Sequence, residues 1–388
     1  MNTLAAVTPL VITGCGVVSP AGVGLEALAG ALGGAGHGTA DLDAIGGEFP
    51  PMPLAAIPDL RVEDYLGKKG VRSLDRTTRL ALVAGERALA GLGTPLTDAD
   101  RVRTGVVIGT STGSVRSSSE FSRETLVREK PYLVRANFFP PSVMNFCAGQ
   151  IAIWNSLRGM NATIADGRIS GLAAVRYARN AIAQGHIDRA LVGAVEELCP
   201  QSAWGWYVSG ALAPAAAVGE GAAMFVVETP EAAAAAGREP LGEVLACEVG
   251  TLGMSGLRRG LATCVTRTLE RSGVPAESVT TVSLGATGLR GLRAAEEDAV
   301  RTALGALPRH QIRTARLVGE TFSASGALQI ASLLGAWRAA GDTQETRETR
   351  DTGDTTDSVA LVTSIGDDGN VGCLVMRRPA VETAALPS

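Results

Sequence analysis

FFPPSVMNFCAGQIAIWNSLRGMNATIADGRISGLAAVRYARNAIAQGHIDRALVGAVEE, Phe138–Glu197, is the stretch whose reading sets the fold class. Within it Ile151–Leu157 and Ala173–Gln184 have helical periodicity. Arg189–Gly193 (RALVG) is a continuous apolar run closed by glycine, the signal of a strand buried on both faces. Working upstream, Gly105–Gly109 (GVVIG) is a second such strand, Arg76–Leu92 and Leu25–Leu32 read as helices, and Leu10–Thr13 as a first strand before Gly14-Cys15-Gly16. Downstream, Ala223–Glu228 and Leu241–Val249 read as strands. Then come Leu261–Ser272 (helix), Thr280–Leu284 (strand), Ala294–Leu304 and Ala324–Ala339 (helices), and Val359–Ser364 as the final strand. Apolar strands alternating with helices predict an α/β fold with a mixed or parallel sheet covered on both sides. Similar element order before and after Thr229–Arg238 predicts two halves, 1–232 and 233–388, packed as one unit. The polar run Asp342–Asp357, with six acidic and two arginine residues, reads as a mobile loop.

Hydrophobic residues make up 46 % of the 388-residue chain and charged ones 19 %, which excludes an intrinsically disordered protein. The net charge of −4 argues against nucleic acid or an anionic membrane as partner. No apolar run is long enough to span a bilayer, and no basic stretch precedes the apolar start. The six cysteines lie far apart with no C-x-x-C spacing, so neither structural zinc nor a thioredoxin motif is expected. Such thiols suit buried positions in the reducing cytoplasm. No cofactor and no metal are expected.

Several stretches in order resemble the β-ketoacyl synthases of the thiolase-like superfamily. Val11–Gly22 (VITGCGVVSPAG), Arg76–Leu89, Phe138–Glu197 and Gly219–Glu228 (GEGAAMFVVE) are similar to their successive motifs. The resemblance implies a thiolase-like α-β-α-β-α layered fold. It also implies where the reacting groups belong, and there this sequence departs. The nucleophilic cysteine of an A-C-x-S-G-L elbow is matched by Gly167-Arg168-Ile169-Ser170-Gly171-Leu172, with Arg168 in its place. The first histidine of H-G-T-x-T is matched by Gly285, with Glu296 where that motif's glutamate falls. The second, in K-x-x-x-G-H, is matched by Glu320, and its lysine by Ala315. The terminal G-F-G-G loop has become Gly366-Asp367-Asp368-Gly369.

Condensation by this route needs a thiolate to carry the acyl chain and donors for the enolate. A guanidinium is never a nucleophile, a carboxylate repels an enolate, and glycine offers no side chain. Catalytic residues are therefore expected to be absent. The combination resembles the chain-length factors of type II polyketide synthases, which commonly carry glutamine rather than arginine at the lost-cysteine position. That resemblance implies pairing with an active ketosynthase subunit and, through it, an acyl carrier protein. It also implies tunnel-lining residues at Val115, Ser118, Ser119 and Ser122. An interface is implied around Phe138, Phe139, Met144 and Phe146, with Arg189–Ala194 as the strand that pairs the two subunits' sheets. Arg168 needs an acidic partner if buried; Glu320 is the expected one and Asp166 the local rival.

Two other readings stand beside this one. The fold could host altered chemistry on carrier-bound substrates using Arg168 and Glu320. Gly109-Thr110-Ser111-Thr112-Gly113 fits a G-x-S-x-G elbow with Ser111 as nucleophile, but a hydrolase also needs one of His37, His186 or His310 beside it. Gly14-Cys15-Gly16 lacks the third glycine of a dinucleotide site and reads as a tight strand-to-loop turn. Cys147 and the four tryptophans read as packing residues.

Overall fold

The computed structural model describes residues 8–32, 42, 45–57, 60–341 and 358–379. His37 and the segment 342–357 lie outside the described residues. Ten strands follow one path through the main sheet. They are β1 (Leu10–Ser19), β2 (Thr104–Gly109), β3 (Asn161–Ile164), β4 (Arg189–Glu196), β5 (Gly221–Glu228), β6 (Gly242–Thr251), β7 (Val279–Leu284), β8 (His310–Ile312), β9 (Val359–Ile365) and β10 (Asn370–Arg377). The helices used below are α1 (Leu25–Leu32), α2 (Arg76–Ala90), α3 (Val115–Val127), α4 (Phe146–Trp154), α5 (Ser170–Ala183), α6 (Pro200–Ser209), α7 (Leu257–Ser272), α8 (Leu292–Leu304) and α9 (Ser325–Gly341).

The path runs β3-β2-β4-β5-β1 and continues β6-β10-β9-β7-β8. Read from each outer edge inward, the two halves have the same strand order. They also share the same pairing senses: β2 is parallel to β3 and β4, β7 to β8 and β9, and the two inner pairs in each half are antiparallel. The halves join where Leu10–Ile12 of β1 pairs with Gly242–Val244 of β6.

Side chains of each strand alternate between two buried faces. Val107 and Val192 face a central core with Leu172 and Val175 of α5 and Leu328 and Leu334 of α9. Val106, Ile108 and Leu191 face α2 and α4 through Leu80, Leu82 and Ile151. In the second half Val282, Leu361 and Val375 pack under Leu261 and Val265 of α7 and Val300 of α8. This is the α-β-α-β-α layering of a thiolase-like fold, with α5 and α9 as the middle layer. At their crossing a Cβ on Gly171 would stand 3.0 Å from the Ala327 amide nitrogen, so glycine permits the contact.

Four local expectations change. β1 does not turn at Gly14–Gly16 but runs on to Ser19. A Cβ on Gly14 would lie 2.2 Å from the Ala88 carbonyl oxygen, and one on Gly16 2.0 Å from that of Ala84. Those glycines let α2 lie against the strand. Val359–Ile365 is not the last strand, because the Gly366–Asn370 turn folds the chain back as β10. The helix expected at Ile151–Leu157 lies earlier, at Phe146–Trp154, ending at the positive-φ residue Ser156. Finally, Arg189–Ala194 is no edge: β4 lies between β2 and β5 with every residue buried, and β3 is the outer strand of that half.

Candidate functional site

The site is built where the N-terminus of α5 meets the loops after β7 and before α9. Gly167–Ile169 makes one 3-10 turn, which turns the Arg168 side chain into the interior, 1 % exposed. Arg168 Nη1 donates to Glu320 Oε1. Its Nη2 donates to the Gly285 carbonyl and, at 3.2 Å, to Ser325 Oγ. Arg168 therefore bonds both Gly285 and Glu320, the other two positions singled out by the motif match, although Arg168 and Glu320 are 152 residues apart in sequence. Glu320 is 2 % exposed and also accepts the Phe322 N–H at 2.8 Å. Phe322 sits at φ +41°, a left-handed conformation that closes this tight loop.

The framework is held independently of the arginine. Glu296 accepts the N–H groups of Gly285 at 2.9 Å and Ala286 at 2.8 Å, and the Thr363 hydroxyl at 2.8 Å. Burial pushes the Glu296 carboxyl up, while these donors and Arg168 oppose the shift. Gln329 donates to the Ser283 and Thr363 carbonyls at 3.0 and 3.1 Å. Its Oε1 stands 3.1 Å from where a Gly285 Cβ would be, so the space around position 285 is taken. Ser325 and Gln329 are participants that the sequence did not single out. The available signal was their polarity in the otherwise apolar helix α9.

Asp166 is not the partner of Arg168. Its Oδ1 accepts from Asn370 Nδ2 at 3.0 Å, and burial together with Asp368 pushes its carboxyl up. The buried thiols are not activated. Burial pushes Cys147, Cys247 and Cys373 far toward the protonated form, the opposite of an activated cysteine. Ser111 follows a strand as an elbow serine would, but it donates to Glu196 Oε1 at 2.7 Å rather than to an imidazole. His186 and His310 are exposed. The hydrolase reading has no support in these contacts.

On α3, Val115, Ser118 and Ser119 are half-buried and Ser122 is exposed. Ser118 Oγ is bonded to the Ser114 carbonyl, and Phe121 packs on Phe139 with ring centres 5.7 Å apart. Phe138 and Phe146 are half-buried, with Arg135 lying 4.0 Å over the Phe138 ring. Phe139, Val143, Met144 and Ile153 are exposed, the last by 73 %. Among the described residues there is no cluster of potential metal ligands and no helix long and apolar enough to cross a membrane.

The duplicated layers and an elbow turn at the start of a middle-layer helix define a condensing-enzyme scaffold of the thiolase-like class. Residues 8–233 match the family described as the N-terminal domain of β-ketoacyl synthases, and the chain belongs to that family. It is 29 % identical over 354 residues to the actinorhodin polyketide putative beta-ketoacyl synthase 2 of Streptomyces coelicolor, covering 84 % of each chain. It is 26 % identical over 352 residues to 3-oxoacyl-[acyl-carrier-protein] synthase 2 of Vibrio cholerae, covering 82 % of this chain and 84 % of that one. Among solved structures, the ishigamide ketosynthase/chain length factor is similar with a TM-score of 0.80 and 33 % identity, over 96 % of this chain and 100 % of that one.

Proposed function

We propose that this chain is a non-catalytic subunit of the chain-length-factor type, which pairs with an active ketosynthase in a type II polyketide synthase. An acyl carrier protein brings the growing chain to the partner's cysteine, and this subunit shapes the tunnel that receives it. One observation carries the reading: Arg168 pairs with Glu320 and donates to the Gly285 carbonyl inside the pocket where the motif match places a thiolate and two imidazoles. A paired guanidinium accepts no acyl group, and the adjacent carboxylate opposes enolate formation. The similarity to a solved ketosynthase/chain length factor supports the assignment.

The surface supports a partner as well. Among the described residues β3 pairs on one side only, and an open edge favours pairing with another strand. Phe139, Val143, Met144 and Ile153 add exposed apolar area in the neighbouring segment. The pairing strand is thus β3 rather than Arg189–Ala194. The residues Val115, Ser118, Ser119 and Ser122 remain the tunnel candidates.

The test is co-expression with the neighbouring open reading frames, followed by intact-mass measurement of any complex after incubation with acyl- and malonyl-loaded carrier protein. The expected result is a stoichiometric complex acylated on the partner alone. Stable acylation of this chain, on Cys147 or Ser111 above all, overturns the proposal.

A further inference from the structure

We propose that Glu196 is held as a neutral carboxylic acid and acts as a pH-sensitive latch between the Ser111 loop and the segment that carries Glu320. Glu196 ends β4 and is buried. Its Oε1 accepts the Ser111 hydroxyl at 2.7 Å, and its Oε2 is bonded to Ser323 Oγ. Ser323 Oγ also lies 3.2 Å from the Val195 carbonyl oxygen. A serine hydroxyl has one proton and cannot donate to both acceptors. A proton on Glu196 Oε2 resolves the conflict. The acid then donates to Ser323, and Ser323 donates to Val195.

The charges around it favour the same state. Most other buried carboxylates have a cation: Glu124 has Arg135, Glu220 has Arg76, Glu228 has Arg238, Glu248 has Arg271 and Glu320 has Arg168, whereas Glu197 and Glu296 share with Glu196 the lack of an ion pair among the described residues. Among the described residues Glu196 is in no ion pair. Just past the end of β4, Glu197 adds a second carboxyl, held by the Arg116 N–H and by Ser114 Oγ, each at 3.0 Å. From α3, the Arg116 guanidinium is committed to Glu120 and the Ile45 carbonyl. From α2, Asp75 caps the helix through the Thr78 N–H, and Arg76 is committed to Glu220. From the loop before α9, Glu320 is committed to Arg168. Each of these neighbouring guanidinium groups among the described residues is therefore engaged elsewhere than at Glu196. Burial is the main influence on this carboxyl and pushes it up to about 7, with Glu197 adding to the rise and the Ser323 and Ser111 hydroxyls opposing it.

In the unfolded chain a glutamate releases its proton near pH ~4.3. Between there and the folded value the native state keeps a proton that the unfolded state has lost. Stability therefore falls as pH rises through that window and levels off above it, by up to roughly tenfold in the folding constant per pH unit. Losing the proton removes the donor to Ser323 and places an unpaired anion between two loops. The inference concerns the protonation of one side chain and stands or falls separately from the subunit assignment.

Glu196→Gln presents the same shape with a permanent N–H donor. Denaturant unfolding of the full chain and of this variant at about pH 5, 6, 7 and 8 reads the effect. The ratio of variant to wild-type folding constants should climb between about pH 5 and 7 and flatten above. Parallel profiles for the two proteins overturn the proposal. Infrared spectra of the wild type give a second reading that needs no variant. A buried protonated-carboxyl band, assigned by glutamate isotope labelling, should be present at about pH 6 and fade by about pH 9. Absence of that band at the lower pH is equally fatal.

Discussion

Arg168→Ala strands a carboxylate in the interior. Glu320 Oε1 then keeps only the Phe322 N–H at 2.8 Å, and its Oε2 already lacks a protein partner. Glu320→Ala leaves the opposite fault, a guanidinium with only the Gly285 carbonyl and Ser325 Oγ as acceptors. Breaking one side of a buried pair costs about 3–5 kcal/mol, because the survivor is desolvated without compensation. An unfolding entropy of roughly 2.1 cal/mol/K per residue over 388 residues converts that into a fall in Tm of about 4–6 °C. Arg168→Met combined with Glu320→Leu removes both charges while keeping volume. Such exchanges are near neutral or stabilising, so the double variant should melt within about 2 °C of the wild type. Scanning calorimetry of all four proteins, with the partner subunit present if they co-purify, measures the comparison. A double variant that melts as low as the worse single one would refute the argument that each charge is there to neutralise the other.

Restoring the thiol alone, Arg168→Cys, should give no condensation of malonyl units, since Gly285 and Glu320 still provide no donors; product formation by the isolated variant would contradict the non-catalytic assignment. Ser118→Phe or Ser119→Trp should shorten the product of the complex while leaving it assembled, read by mass spectrometry of products; an unchanged distribution from both removes α3 from the tunnel. Phe139→Asp together with Met144→Asp should break the complex in size-exclusion chromatography, whereas Arg189 variants should act on stability of the chain. Gly16→Ala should destabilise the chain by about 1–3 kcal/mol, because its methyl would meet the Ala84 carbonyl at 2.0 Å, and a wild-type melting curve would sink that account.

Much of the fold is legible in the sequence because burial on two faces writes itself as unbroken apolar runs. GVVIG and RALVG, short and bounded by glycine, read as interior strands, and the alternation of such runs with Ala- and Leu-rich helices points to the layers. The proposed loss of chemistry also rests on residue type, since arginine, glycine and glutamate stand where the motif match places the reacting groups. What sequence cannot rank is position within the sheet. β4 is apolar from Ala190 to Val195, as a strand buried on both faces commonly is, and only the order of its neighbours shows that among the described residues β3, not β4, is the outer strand. Gly14 and Gly16 likewise read as a turn until α2 is seen lying against them, because close backbone approach is a property of two distant segments. The same holds inside the site. Arg168, Gly285, Glu320, Ser325 and Gln329 come from separate segments, and Glu196 meets Ser111 and Ser323 across 85 and 127 residues. Residue type states which groups need partners; the tertiary structure alone decides which partners they have, and whether a buried carboxyl receives a cation or must keep its proton.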